Sequence, residues 1–320
     1  MVNKLKRVVI SGGREVGGLM TFAQALAEGF TALKIEALVK TPREIVTDLA
    51  TLRDPTVLKI LSTTAVFAAP FARNAICIAH GFPRADVQGW IKLFAIWFSY
   101  KLANKFSRLV AVSDYVAVHL RSIFNLKIDS VIHNPLSVEF FTPFDVTGSD
   151  RNYITFVGRM HVVKNLQKIM PAVQRFLEAR PQYKACFIGD GELRDTLRYS
   201  MTHEPRIEFT GSKDTQDVRD FLRATKIFIS GCETEALGIA YMEALSQGCS
   251  IVMPASGGGL EIAPELIGKN IFLFSPSFDI FEIQAALFSA SEADVSLPEL
   301  ADYTPTSVAA KYLKLSACSD

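Results

Sequence analysis

The sequence predicts an α/β protein of two Rossmann-like, doubly wound domains facing each other across a cleft. Three observations carry that prediction. Short β-branched runs alternate with longer apolar or amphipathic segments, the pattern of a mostly parallel sheet covered by helices. The alternation breaks once, at Asn134–Asn152, where two prolines, a glycine and turn-forming Asp, Ser and Asn crowd together. It then restarts, and most strands of the second half end in glycine or a small polar residue.

The first element is the strand "RVVISGG", whose glycines turn the chain into "GGLMTFAQALAEGF". There Met20, Phe22, Ala23, Leu26, Ala27 and Phe30 recur at helical spacing. The apolar runs "LKIEALVK", "NAICIAHG", "RLVAVSD" and "DSVIHNP" supply further strands. These make a first domain of residues 1–145, with a linker near 143–150 and a second domain of 150–300. In the second domain "YITFVGR", "KACFIGDG", "RIEFTG", "KIFISGC" and "SIVMPAS" read as strands. Between them "NLQKIMPAVQRFLEA", "ELRDTLRYSM", "TQDVRDFLRA" and "GIAYMEALSQG" read as helices. The tail "YTPTSVAAKYLKLSACSD" holds a proline-preceded helix, 304–316, that is a candidate for packing back on the first domain.

A chain of 320 residues, 49% hydrophobic and 21% charged, is long and apolar enough to bury two sizeable cores. Its net charge of +1 gives no bulk electrostatic case for nucleic acid. The five cysteines (Cys77, Cys186, Cys232, Cys249 and Cys318) have neither a CxxC pair nor a histidine at ligand spacing. Such a set fits reduced, buried thiols and no metal site. The N-terminal apolar run, Val8–Ile10, is too short for a signal peptide. The nearest approach to a membrane span, Trp90–Phe106, is interrupted by Lys92, Lys101 and Lys105. A cytoplasmic protein is the expectation. The Trp90–Phe106 segment is open between a buried helix and a peripheral contact with the inner face of a membrane.

Chemistry is expected beyond the carboxyl ends of strands. The loop "SGGREVGGLM" offers Gly17 and Gly18 at a helix start, where backbone N–H groups approach an anion. Its spacing is neither GxGxxG nor a P-loop, and Lys40 stands where an NAD site carries an acid. A tight turn without a ligand is the alternative. His80 closes "AICIAH" and is either structural or cleft-facing, while His133 and His161 show no partner of note. Arg159 and Lys164 in "FVGRMHVVKN" are either solvated charges or a clamp on a diphosphate. In "ETEALGIAYMEAL", Glu235 and Glu243 enclose seven uncharged residues. Glu235 falls in a strand-end loop and Glu243 in the helix after it. Ala236, Leu237 and Gly238 offer N–H groups at that helix start, and Glu233 reads as solvent-facing or a turn partner.

The order "GG…H-G…GR…K-N…GDG…E-x7-E-A-L-x-x-G" resembles retaining glycosyltransferases of the GT-B fold, in the large family 4. The likeness is strongest from Tyr153 to Gly259. The chain departs from the family pattern with Gly231 and Ala236 around the first glutamate, and with Glu261 and Glu265 competing for one position. The resemblance implies a nucleotide-diphosphate sugar as donor, UDP-sugar favoured, and no required cofactor or metal. Arg159 and Lys164 would hold the diphosphate, reached also by Gly17 and Gly18. Glu243 would bind the ribose and Glu235 the transferred sugar, with Ala236–Gly238 donating to sugar or phosphate and His80 beside the reaction centre. A hexosyl or N-acetylhexosaminyl group would pass to a glycan or lipid-linked acceptor, in surface polysaccharide or lipopolysaccharide synthesis. The competing expectations are a sugar-nucleotide epimerase on the same scaffold and a non-catalytic partner subunit that binds nucleotide sugar.

Overall fold

The computed structural model describes residues 5–13, 17–82, 89–144, 151–294 and 297–317. The chain divides into two units, Met1–Val138 with Leu300–Asp320, and Glu139–Glu299. The division falls at Val138, ahead of the 143–150 stretch, of which 145–150 lie outside the described residues. Residues just after Val138 are tied to the second unit: the Gln247 side-chain amide donates to the Phe140 carbonyl, and Arg223 to that of Thr142.

In the first unit, β1 (Arg7–Ser11), β2 (Glu36–Lys40), β3 (Val57–Ser62), β4 (Ala75–Ala79), β5 (Arg108–Ala111) and β6 (Ser130–Val131) form one sheet. Its order is β2-β1-β3-β4-β5-β6, and every pairing is parallel. The apolar runs fill its interior strands, Val8–Ile10 and Ile76–Ala79 among them. The strand β3 is the one that the sequence pattern hides. Lys59 interrupts its apolar run, yet the residue is fully buried, its ammonium donating to the carbonyls of Asp54 and Arg73 at 2.5 and 2.6 Å. Burial pushes that ammonium down to about 8, Asp54 opposing the shift.

The helix α1 (Gly18–Ala32) buries Phe22, Ala23, Leu26 and Phe30, the face its spacing predicts. The C-terminal helix Pro305–Ala317 packs against it within the first unit. Gly29 is where the two backbones meet, since a Cβ there would stand 2.0 Å from the Pro305 carbonyl oxygen. At the far end of the same helix, Arg108 donates to the Leu315 carbonyl.

The second unit carries β7 (Tyr153–Val157), β8 (Lys184–Ile188), β9 (Ile207–Gly211), β10 (Thr225–Ile229), β11 (Ser250–Pro254) and β12 (Ile271–Phe274). The order β12-β11-β10-β7-β8-β9 is all parallel, and the chain reverses its direction of travel between β7 and β10. That point is the topological switch of a doubly wound sheet, where ligands bind beyond the strand ends. Ile154, Phe156, Phe187, Ile227 and Ile229 meet Ile169, Phe176 and Leu287 in the core. Between the two central strands, the hydroxyls of Thr155 and Thr225 lie 2.6 Å apart, satisfied inside the sheet. The strand β12, "IFLF", is too short to stand out from its surroundings in sequence.

Cys77, Cys186, Cys232 and Cys249 are free and buried, while Cys318 lies outside the described residues. Among the described residues no group of His, Cys, Asp or Glu has the makings of a metal site. Among the described residues no helix is long and apolar enough to cross a membrane.

Gly29→Ala tests the helix contact. Alanine gains about 1 kcal/mol of helix propensity, but overpacking against a backbone carbonyl costs about 1–3 kcal/mol. The expected result is a lowered thermal midpoint. A raised midpoint would contradict the close approach of Pro305.

Candidate active site at the sheet switch point

Lys164 and Glu235 are brought together by the two strands that flank the switch point. After β7 the chain makes a short 3-10 turn, Val162–Lys164. Asn165 then takes a left-handed conformation, φ 49°, and opens the helix Leu166–Ala179. After β10 the chain runs through Gly231, where a Cβ would meet the Lys164 carbonyl at 2.7 Å. Asn165 pins this approach by donating to the Gly231 carbonyl at 2.9 Å. The Lys164 ammonium then reaches the Glu235 carboxylate at 2.6 Å, each side chain about a fifth exposed.

Burial works against both charges, and their pairing overrides it. For Lys164 burial acts downward, but Glu235 and the Cys232 sulfur beside it carry the ammonium above the ordinary lysine range. For Glu235 burial acts upward, but Lys164, the Cys232 thiol and the Ala236 N–H hold the carboxylate below its usual range. The pair is therefore ionised at neutral pH. Cys232 itself is pushed up to about 11, first by burial and then by Glu235, so it remains a thiol that donates. Glu233 is not a simple solvent-facing group. It accepts from the Asn165 amide at 3.1 Å and lies 3.6 Å from Lys168.

The other cation behaves differently. Arg159, two residues beyond β7, is exposed and makes no ion pair with a described residue. The structure brings Lys164 to Glu235 and leaves Arg159 outside that pairing. His161 is not partnerless: its Nε2 lies 3.3 Å from Glu192, and its Nδ1 accepts from the Val163 N–H. His133 stacks on Tyr303, with ring centroids 5.5 Å apart.

Glu243 lies in the helix Ile239–Ser246 and is 9% exposed, with no side-chain ion pair among the described residues. Burial alone pushes its carboxyl up to about 7. The two glutamates thus differ in kind: Glu235 is paired and ionised, Glu243 buried and poised near neutrality. The carboxyl end of this helix is capped by Arg151, whose guanidinium donates to the carbonyls of Gln247 and Gly248 at 2.7 and 2.8 Å.

Between the glutamates stands Tyr241, a residue the sequence reading passes over. Its ring occupies a slot with two glycine walls. A Cβ on Gly238 would meet the ring at 2.6 Å, and one on Gly259 at 2.3 Å. Gly238 is doubly constrained, because its left-handed φ of 89° also begins the helix. The Tyr241 hydroxyl donates to the Ser230 hydroxyl at 2.9 Å, next to the end of β10. The loop that carries Glu235, Ala236 and the buried Leu237 is thereby locked between strand and helix. On its other side, the Gly258 N–H donates to the Glu235 carbonyl at 2.7 Å. The signal in the sequence is a hydroxyl-bearing aromatic in an apolar run, followed by the triplet Gly257–Gly259.

The remaining candidates belong to the first unit. Gly17 and Gly18 begin α1, and no described atom lies within 4 Å of where their Cβ atoms would be. Internal packing does not demand glycine at either position. His80 follows β4, with its ring edge-on to Phe22 at 4.6 Å. Its Nε2 is buried without a partner among the described residues. Burial pushes the imidazole down to about 4, so it is neutral at pH 7.

Two stability measurements follow from this geometry. Tyr241→Phe keeps the ring but removes its hydrogen bond to Ser230, which retains the Cys232 N–H, an expected cost of about 1 kcal/mol, whereas Tyr241→Ala also empties the slot, at about 3–5 kcal/mol. Equal melting of the two variants would refute the slot. Glu243 has a raised folded value, so the folded state binds its proton more tightly. Its contribution is fully present below pH 4.5 and is lost as pH rises through about 7. Ionising the buried carboxyl then costs on the order of 3 kcal/mol. Glu243→Gln should raise the melting midpoint at pH 8 and have little effect at pH 4.5; a pH-independent effect would exclude the buried carboxyl as its cause.

Residues 141–297 match the family described as glycosyl transferases group 1. The sulfoquinovosyl transferase SQD2 of Arabidopsis thaliana is 31% identical over 171 residues, 52% of this chain and 32% of that protein. A GDP-mannose-dependent phosphatidylinositol monomannoside mannosyltransferase of Corynebacterium glutamicum is 26% identical, over 58% of this chain and 53% of that one. The chain thus spans about a third to a half of the length of these relatives. Among solved structures, Anabaena HepE in complex with UDP and glucose superposes with a TM-score of 0.71 at 18% identity, covering 98% of this chain and 95% of HepE. WaaG, a glycosyltransferase involved in lipopolysaccharide biosynthesis, does so with 0.69 at 12% identity, covering 98% and 96%. The chain carries a GT-B fold, and through residues 141–297 it belongs to the group 1 glycosyl transferases.

Proposed function

We propose that this protein transfers a hexosyl or N-acetylhexosaminyl group from a nucleotide-diphosphate sugar to a glycan or lipid-linked acceptor, with retention of anomeric configuration. The observation that carries the reading is the Lys164–Glu235 pair, held at 2.6 Å at the switch point of the group 1 unit. A UDP-sugar is the favoured donor, supported by the likeness of fold to HepE, which has been solved with UDP-glucose. A surface polysaccharide or lipopolysaccharide product is the corresponding role for the acceptor, supported by the fold likeness to WaaG.

The chemistry assigned to each residue follows from its state. Lys164 is a fixed cation for the diphosphate, whose charge grows as the sugar C–O bond breaks and the electron pair leaves with the phosphate oxygen. Arg159, unpaired among the described residues, adds a second cation with a forked donor set. Glu235 accepts from sugar hydroxyls while keeping Lys164 in place. The N–H groups of Leu237 and Gly238, at the start of the helix Ile239–Ser246, face developing negative charge. Glu243, poised near neutrality, accepts from the ribose hydroxyls once ionised. The acceptor hydroxyl forms the new C–O bond, and its proton passes to the departing phosphate, so no protein nucleophile is required. The first unit is assigned to the acceptor, with the orphaned Nε2 of His80 as a hydrogen-bonding group for a hydroxyl. We place the enzyme in the cytoplasm; the free thiols of the four described cysteines support a reducing compartment.

Lys164→Met and Glu235→Gln should each lower kcat/KM for UDP release from a panel of UDP-sugars by about 100-fold or more. Melting curves separate this from unfolding, since each change leaves one largely buried charge uncompensated. Wild-type turnover in both folded variants would overturn the assignment. Conversion of the free donor to its epimer without acceptor would favour the epimerase. Tight UDP binding with no turnover on any donor would favour the non-catalytic subunit.

A further inference from the structure

The helix Trp90–Phe106 presents its more apolar face to solvent. It buries only Ser99, Tyr100 and Ala103, packing on the 3-10 segment Thr63–Phe71. Trp90, Ile91, Phe94 and Phe98 are 77%, 89%, 64% and 45% exposed. At 100° per residue these four share one arc of about 100° with Lys101 and Lys105. The outer face is thus aromatic over its first half and basic over its second. Lys101 lies 5.9 Å from the Trp97 ring and Lys105 5.3 Å from that of Phe106. Lys92, at about 200° on the same wheel, falls on the side opposite the stripe, and the helix contains no acid. Beside its end, Asn104 holds the Lys127 backbone, placing there a further exposed lysine that is paired with Asp129 at 3.4 Å.

We propose that this face docks on an anionic lipid bilayer. Trp90, Ile91, Phe94 and Phe98 enter the boundary between headgroups and acyl chains, and Lys101 and Lys105 meet the lipid phosphates. Charge complementarity selects this occupant. Lysine is depleted at protein–protein interfaces, whereas aromatics ringed by lysines suit a negatively charged membrane surface. The length and composition of the helix fit lying in the interface, since it is too short and too charged to cross. The surface stands independently of the donor site. With that site as proposed, it favours the lipid-linked acceptor over a free glycan.

Flotation of the whole chain tests the proposal, using vesicles of phosphatidylcholine alone and of phosphatidylcholine with about a third phosphatidylglycerol. Co-flotation is expected with the anionic vesicles only. It should be lost at about 0.5 M salt, where screening shortens to a few ångström. Each lysine at an anionic surface contributes about fivefold to partition, so Lys101→Gln with Lys105→Gln should weaken binding by more than tenfold. W90S/F94S/F98S should abolish it with an unchanged melting midpoint, because all three side chains are exposed. Wild-type protein left entirely unbound at low salt would overturn the proposal, and so would equal flotation of the triple variant. A concentration-dependent dimer that disappears in the triple variant, without flotation of the wild type, would assign the face to a second copy and overturn it equally.

Discussion

Parallel strands deliver their carboxyl ends to one side of a sheet, and the second unit depends on that constraint at one contact. β7 and β10 are adjacent in space but separated by two strands and their helices in sequence. Their exits place Lys164 and Glu235, 71 residues apart, within 2.6 Å. The pair survives partial burial because each charge offsets the other's desolvation, and because Cys232, Ala236 and Asn165 satisfy the groups around it. Such a pair is preorganised: its cation is already fixed, and a diphosphate meeting it would not have to order a free lysine.

Rigidity around this contact comes from groups outside the ion pair. Tyr241 fills a slot that exists because two glycines lack side chains, and its hydroxyl ties the helix back to the end of β10. Arg151 holds the opposite end of the same helix. The Glu235 loop is thus set by packing and backbone hydrogen bonds, leaving the carboxylates free of structural duty apart from Lys164. Glu243 illustrates the cost. A carboxyl buried with no ion pair opposes folding once ionised, and such a cost is most often retained where chemistry uses it.

The Trp90–Phe106 helix follows the opposite logic. The helix α1 buries its apolar stripe, with Phe22, Leu26 and Phe30 inside. Trp90–Phe106 instead buries Ser99, Tyr100 and Ala103 and leaves Trp90, Phe94 and Phe98 outside. Its lysines interrupt the apolar run in sequence, so sequence alone reads it first as a buried helix and leaves exposure open. Only the packing of Ser99 and Ala103 decides which side faces inward.

The sequence by itself determined the class of the fold, because periodicity and strand-end glycines are local properties of consecutive residues. It also announced Lys164, Glu235 and Glu243 through their spacing and the resemblance that spacing supports. It missed β3, since a lysine reads as a surface residue until two distant carbonyls are known to receive it. It missed Tyr241 and Cys232, whose roles arise from Gly259, Ser230 and Lys164, contacts formed only when separate strands converge. Tertiary structure alone decided that Lys164 pairs with Glu235 while Arg159 stays exposed, and that one glutamate is ionised and the other poised near pH 7. The physical reason is that charge state depends on desolvation and on neighbours in space, neither of which is written in the order of the residues.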